Sequence, residues 1–309
     1  MSLEKRTLRH LKELFALLKE TFTQWLGHKA PRLAAALAYY MVFSLSPMII
    51  IAIAIAGAIF GEDAARGQIV AQMSDVVGEE AANIMERAIA NASRPDLSNF
   101  ASLISLGVLF FAASGVFAQL QDALNTIWGV QPKPGLVVRQ FIVKRIISFA
   151  IVVGIGFLVI LSLFFSAAIT TLIQLELIPG LSELWQYIST VISFVLTTIL
   201  FALIFRFLPD AKVSWSDVWI GAIITSVLFG IGRWLLEWYF ARTGFGSTYG
   251  AAGSLIVLLA WVYYSAQILF LGAEFTEVYA RKYGSRITPN RYSVKVTTTP
   301  IEYPEEDEQ

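Results

Sequence analysis

"LAAALAYYMVFSLSPMIIIAIAIAGAIF", residues 33–60, carries no charged side chain over twenty-eight positions. As a helix with a rise of about 1.5 Å per residue it reaches about 42 Å, more than the roughly 30 Å of a hydrocarbon core. The apolar region of a cleaved signal peptide is far shorter, so the stretch is expected to span a membrane. Pro47 removes one intrahelical donor and disfavours helix at Ser46, so a bend is expected there, with the hydroxyls of Ser44 or Ser46 helping to satisfy the freed carbonyls.

The same pattern recurs at about 99–121, 142–173, 184–205, 217–239 and 252–274, which gives six expected spans. With 56% hydrophobic and 15% charged residues in 309, the composition is that of an all-α polytopic membrane protein, and the repeated bilayer-length runs exclude a soluble domain. Cysteine is absent, which excludes disulfides, thiolate metal sites and a cysteine nucleophile. The two histidines, His10 and His28, both precede the first span, so no histidine site is expected inside the spans.

Around this transmembrane domain, residues 31–283, three further pieces are expected. Residues 1–30 place Leu8, Leu11, Phe15, Leu18, Phe22 and Trp25 at spacings of three and four, the pattern of an amphipathic helix lying at the membrane interface. The connection at about 61–97 holds 7 acidic and 3 basic residues and reads as two short amphipathic helices, an external lid or a substrate gate. The tail, 284–309, contains Pro289, Pro300 and Pro304 and closes on "EEDEQ", which suggests disorder.

Six spans put both termini on one side. Sorted by connection, 18 Lys and Arg fall on the side of the termini and 4 on the other, with the remaining Arg233 well within a span. The positive-inside rule then makes both termini cytoplasmic. The formal net charge of zero offers no global field for nucleic acid.

Polar residues at membrane depth mark the candidate sites. Ser162, Ser166 and Thr170 form one face of the third span, and Ser189, Ser193 and Thr197 repeat that spacing on the fourth. They read either as small-residue packing or as the wall of a hydrated cavity. Arg233 stands four residues before Glu237, as an ion pair or as a docking point for an anionic head group. In "RTGFGSTYGAAGS", residues 242–254, Gly246, Tyr249 and Gly250 belong to a tight external turn or to a partly re-entrant loop at the mouth of a cavity. Asp122 and Glu274 are candidate proton-coupling carboxylates, or else partners for Lys144, Arg145 and Arg281. No phosphate-binding loop, zinc signature or nucleophile elbow occurs, so no enzymatic activity, metal or cofactor is expected.

Four stretches, "AAALAYYMVFSLSPMIIIAIAIAG", "LQDALNTIWGV", "FRFLPDAKVSWSDVWIGAIITSVLF" and "YGAAGSLIVLLAWVYYSAQILFLGAEFTEVYA", resemble the YihY/BrkB family of bacterial inner-membrane proteins. The resemblance covers roughly residues 10–283. It implies six transmembrane helices in a bacterial plasma membrane. The family has also carried the label ribonuclease BN. Metal-dependent RNA cleavage needs a ligand cluster that this chain, with two histidines, does not offer. The expected function is a non-ATPase transporter or exporter of an amphiphilic or anionic solute. The alternative is a non-transporting membrane scaffold or envelope assembly factor. Membrane lipids are the expected partners, and nucleic acid is not.

Overall fold

A computed structural model describes residues 2–44, 115–133, 181–243 and 251–296. The expected bend at Pro47, the connection at 61–97, the Ser162–Ser166–Thr170 face and the turn with Gly246, Tyr249 and Gly250 lie outside the described residues.

The described elements, in chain order, are α1 (Ser2–Gly27), helical residues 30–44 as α2, α3 (Gly115–Ile127), β1 (Val130–Pro132), α4 (Leu181–Phe207), β2 (Ala211–Lys212), α5 (Trp215–Thr243), α6 (Ala251–Lys282), β3 (Thr288–Pro289) and β4 (Ser293–Lys295). Among the described residues three helices are long and apolar enough to cross a membrane: Thr190–Phe207, Trp215–Leu236 and Leu258–Lys282. They coincide with the last three apolar runs of the sequence.

Helix α5 shows why these elements suit a bilayer. Trp215, Trp219, Ile223, Val227, Ile231, Trp234 and Trp238 are all exposed and follow one another at spacings of three and four. Tryptophans thus flank an aliphatic middle, with Trp219 and Trp234 about 22 Å apart and Trp215 and Trp238 about 35 Å apart along the axis. Indole rings favour the two head-group zones, so the stripe matches the two edges of a bilayer.

The opposite face of α5 meets α6 through reciprocal small residues. A Cβ on Gly221 would sit 1.8 Å from Thr276 Oγ1, and one on Gly272 would sit 1.9 Å from Thr225 Oγ1. Each threonine hydroxyl donates to a carbonyl in its own helix, Thr225 to Gly221 O and Thr276 to Gly272 O, both at 2.7 Å. The hydroxyls are therefore satisfied without a cross-helix partner, and the missing side chains let the backbones close in. This pairing of 221 with 276 and 225 with 272 fixes an antiparallel register.

The core lies where α2, α3, α4, α5 and α6 converge. Ala30, Ala34 and Leu37 of α2, Phe117, Leu120 and Leu124 of α3, Phe201 and Phe205 of α4, Ala222 of α5 and Phe270 of α6 share one buried cluster.

At one end of the bundle the chain ties itself together with strands. β1 pairs antiparallel with β4, and β2 with β3. Gly129 adopts φ +60 to leave α3, and its carbonyl accepts from Val296 N at 2.8 Å. Asn125 and Asp210 bond reciprocally: Asn125 Nδ2 donates to Asp210 Oδ2 at 2.9 Å, and Asp210 N donates to Asn125 Oδ1 at 2.8 Å. Asp217, buried in the first turn of α5, accepts from Ser285 N at 3.1 Å and Ser285 Oγ at 3.0 Å. The tail expected to be disordered from residue 284 is ordered through Val296, because two interhelical connections supply the strand partners that composition alone does not reveal.

Candidate functional site

Helix α1 ends at a bend. Lys29 takes φ +55, a left-handed conformation that stops the helix, and Pro31 lies in the first turn of α2, where its missing N–H costs nothing. Leu17, Thr21 and His28 share one face of the segment, and Leu17 packs with Phe275 and Val278 of α6. The bend carries His28 to α6, where its Nδ1 lies 2.7 Å from Glu274 Oε1.

Glu274 is fully buried, at 0% exposure, whereas the His28 side chain keeps 32%. Among the described residues the other carboxylate oxygen, Glu274 Oε2, has no hydrogen-bond partner. A buried carboxylate with one unmatched oxygen is costly unless it is neutral or paired. Gln267, seven residues away on the same side of α6, also holds a buried oxygen, Oε1, without a partner among the described residues.

The charges around the pair come from both helices. On α6, Glu277 accepts from Arg281 Nε at 3.1 Å; on α1, Glu20 accepts from Arg281 Nη2 at 2.8 Å and pairs with Lys282 Nζ. The hydrogen bond to Glu274, reinforced by the negative charges of Glu274 and Glu277, holds the His28 pKa above the ordinary imidazole value, against the opposing effect of partial burial. The bond from Lys282, aided by Arg281, keeps the Glu20 carboxyl below its ordinary value.

Among the described residues singled out from the sequence, Glu274 has this setting. Asp122 is exposed on α3, and its carbonyl accepts from Thr126 Oγ1. Arg233 is exposed on α5 at the level of Trp234, with Glu237 one turn further along the helix. Ser193 is exposed and Thr197 half-buried on α4. The buried hydroxyl there belongs to Thr198, which donates to Phe194 O at 2.8 Å. Ser189 lies on the same helix.

Sequence reasoning set His28 aside because it precedes the first span. The signal that would have found it is the spacing of Leu17, Thr21 and His28, which marks the buried side of α1. The stripe of Leu11, Phe15, Leu18 and Phe22 is exposed, and Trp25 is partly buried against the core.

The model of the family described as "Virulence factor BrkB" matches residues 21–296, from the second half of α1 to the end of the ordered tail. The chain belongs to the BrkB family. Among curated proteins, this BrkB-family chain is similar to a UPF0761 membrane protein of Mannheimia succiniciproducens, 26% identical over 276 residues that cover 88% of this chain and 91% of the relative. It is also similar to one of Teredinibacter turnerae, 26% identical over 292 residues, covering 92% of this chain and 65% of the relative. A third, of Glaesserella parasuis, is 26% identical over 184 residues, covering 59% of this chain and 63% of the relative. All three names describe membrane proteins and none is catalytic. No solved structure matches. The chain is thus an integral membrane protein of the BrkB family.

Proposed function

We propose that this protein is a gradient-driven transporter of an anionic or amphiphilic solute, with Glu274 as the coupling carboxylate. The observation that carries the reading is the buried carboxylate of a span-length helix, bonded through one oxygen to His28 and, among the described residues, unmatched at the other. Ionisable groups at such positions are expensive and are kept where protons or ions move. The sequence has no phosphate-binding loop, so the energy must come from a gradient or a partner. Exposed Arg233 stands at the level of the Trp234 and Trp238 belt, the depth at which an anionic head group would lie.

In this reading six spans sit in the bacterial plasma membrane with both termini cytoplasmic. The strand-bearing end then faces the cytoplasm, where its exposed Lys133, Lys212, Arg286, Arg291 and Lys295 suit the positive-inside rule. The stripe of Leu11, Phe15, Leu18, Phe22 and Leu26 on α1 lies against the inner head groups.

Native mass spectrometry of the detergent-extracted protein, followed by counterflow of the bound species in phosphatidylethanolamine and phosphatidylglycerol vesicles, tests the function. An anionic or amphiphilic adduct that Arg233→Ala abolishes, and that exchanges across the vesicle membrane, is the expected result. A protein carrying only bilayer lipid and showing no counterflow is a scaffold, and the transporter reading fails.

A further inference from the structure

The carboxylate and the imidazole differ in one respect that decides what the pair does: Glu274 has no contact with solvent, while His28 is about one-third exposed. An imidazole has two nitrogens on opposite sides of its ring and can take a proton at one while giving a proton from the other. His28 Nδ1 is engaged with Glu274 Oε1, so Nε2 is the nitrogen left for the surface. We propose that His28 is the proton port of Glu274, the residue through which protons from the strand-bearing side of the membrane reach the buried carboxylate and leave it. This rests on the reading of Glu274 as the coupling group.

The transfer balances within the pair. A proton from water binds Nε2 and makes the imidazolium. The Nδ1 proton passes to Glu274 Oε1, which leaves a neutral acid facing a neutral imidazole protonated at Nε2. Loss of the Nε2 proton to water and return of the acid proton to Nδ1 restore the starting state when the net flow reverses. In the forward direction rotation of the carboxyl carries the acid proton from Oε1 to the Oε2 side, from which it leaves to a water molecule, and a ring flip resets the imidazole. The groups that bias the step are Glu277 and Arg281 on α6 and Glu20 on α1, with Lys282 beyond them holding Glu20. Glu277, on the side of the imidazolium, favours loading the port, and Arg281 offsets part of that effect.

A structural histidine would make the same bond yet carry no traffic, so the test must read proton movement. Infrared difference spectroscopy of the detergent-solubilised full chain after a rapid pH drop records the carbonyl stretch of the protonated acid, assigned to Glu274 by its loss in Glu274→Gln. His28→Ala should slow the appearance of this band by about 100-fold, the scale of a positioned acid–base group, and free imidazole added to the solution should restore much of the rate. His28→Gln, which keeps a hydrogen-bond donor beside the carboxylate, should stay folded and be equally slow, so the outcome survives if the alanine variant fails to fold. An unchanged rate in His28→Gln overturns the port. A Glu274 band that never appears in the wild type overturns it too. Both readouts are taken without solute, so a failure of transport alone leaves this inference standing.

Discussion

Where α5 begins and α6 ends, the two helices are joined by polar bonds: Asp217 to Ser285, the strand pairs β1–β4 and β2–β3, and the reciprocal bonds of Asn125 and Asp210 nearby. One turn further into the bundle the same helices meet without a single cross-helix hydrogen bond at the crossing, through Gly221 against Thr276 and Gly272 against Thr225. The difference follows the solvent. Near water a polar group loses little by exchanging partners, so bonds can specify the connections between helices. At membrane depth lipid tails are as apolar as side chains, so association depends on shape, and each threonine satisfies its hydroxyl within its own helix. Glu274 breaks this pattern: it lies in the zone of steric fit, two residues from Gly272, and among the described residues one of its oxygens is unmatched.

The largest expected effect strikes the steric half. Gly272→Leu forces a side chain into the volume of Thr225. The expected cost is about 3 kcal/mol, the upper end for overpacking, seen as loss of monodisperse protein on size exclusion. Adding Thr225→Ala should recover much of it, since the clash is with that side chain. A stable Gly272→Leu single variant contradicts the crossing.

The polar half should yield less at any one position. Asp217→Asn retains shape but weakens both bonds to Ser285, for an expected loss of about 2 kcal/mol read by thermal unfolding, with faster hydrogen exchange in residues 285–296. Unchanged exchange there would show that the strands hold the segment without Asp217.

How much of this was legible beforehand differs between the two halves. The last three spans could be read because apolar length is a property of neighbours in sequence, and Glu274 stood out as a carboxylate near a span's end. The role of His28 could not, because a partner 246 residues away leaves no local trace beyond the shared face with Leu17 and Thr21. The ordered tail was missed for the same reason: residues 288–295 look like polar coil until β1 and β2 offer their edges. Likewise Thr198, not Thr197, is the buried hydroxyl of α4, a one-residue difference that turns a side chain by about 100° and that spacing alone does not fix.

A pH effect sharpens the contrast further. His28 has its pKa raised above the ordinary 6.5 in the folded protein, so the folded state holds a proton that the unfolded state releases first. The contribution of the pair to stability is therefore complete below about pH 6.5 and is lost as the pH rises through the raised value. Thermal midpoints should fall across that window, and His28→Gln should flatten the fall. A midpoint that rises with pH in the same window contradicts the assignment.

The smallest effect is expected at the rim. Lys282→Ala removes one partner of Glu20, but Arg281 remains and both cations are partly solvated, so the change should stay below about 1 kcal/mol and shrink in salt.

Proton flux tests the central claim most directly. Vesicles of phosphatidylethanolamine and phosphatidylglycerol containing the full chain and an internal pH dye are given an acid pulse in the presence of the solute that copurifies with the protein. The account predicts solute-dependent acidification of the interior with wild-type protein and none above protein-free vesicles with Glu274→Gln. Acidification by Glu274→Gln at the wild-type rate would contradict it.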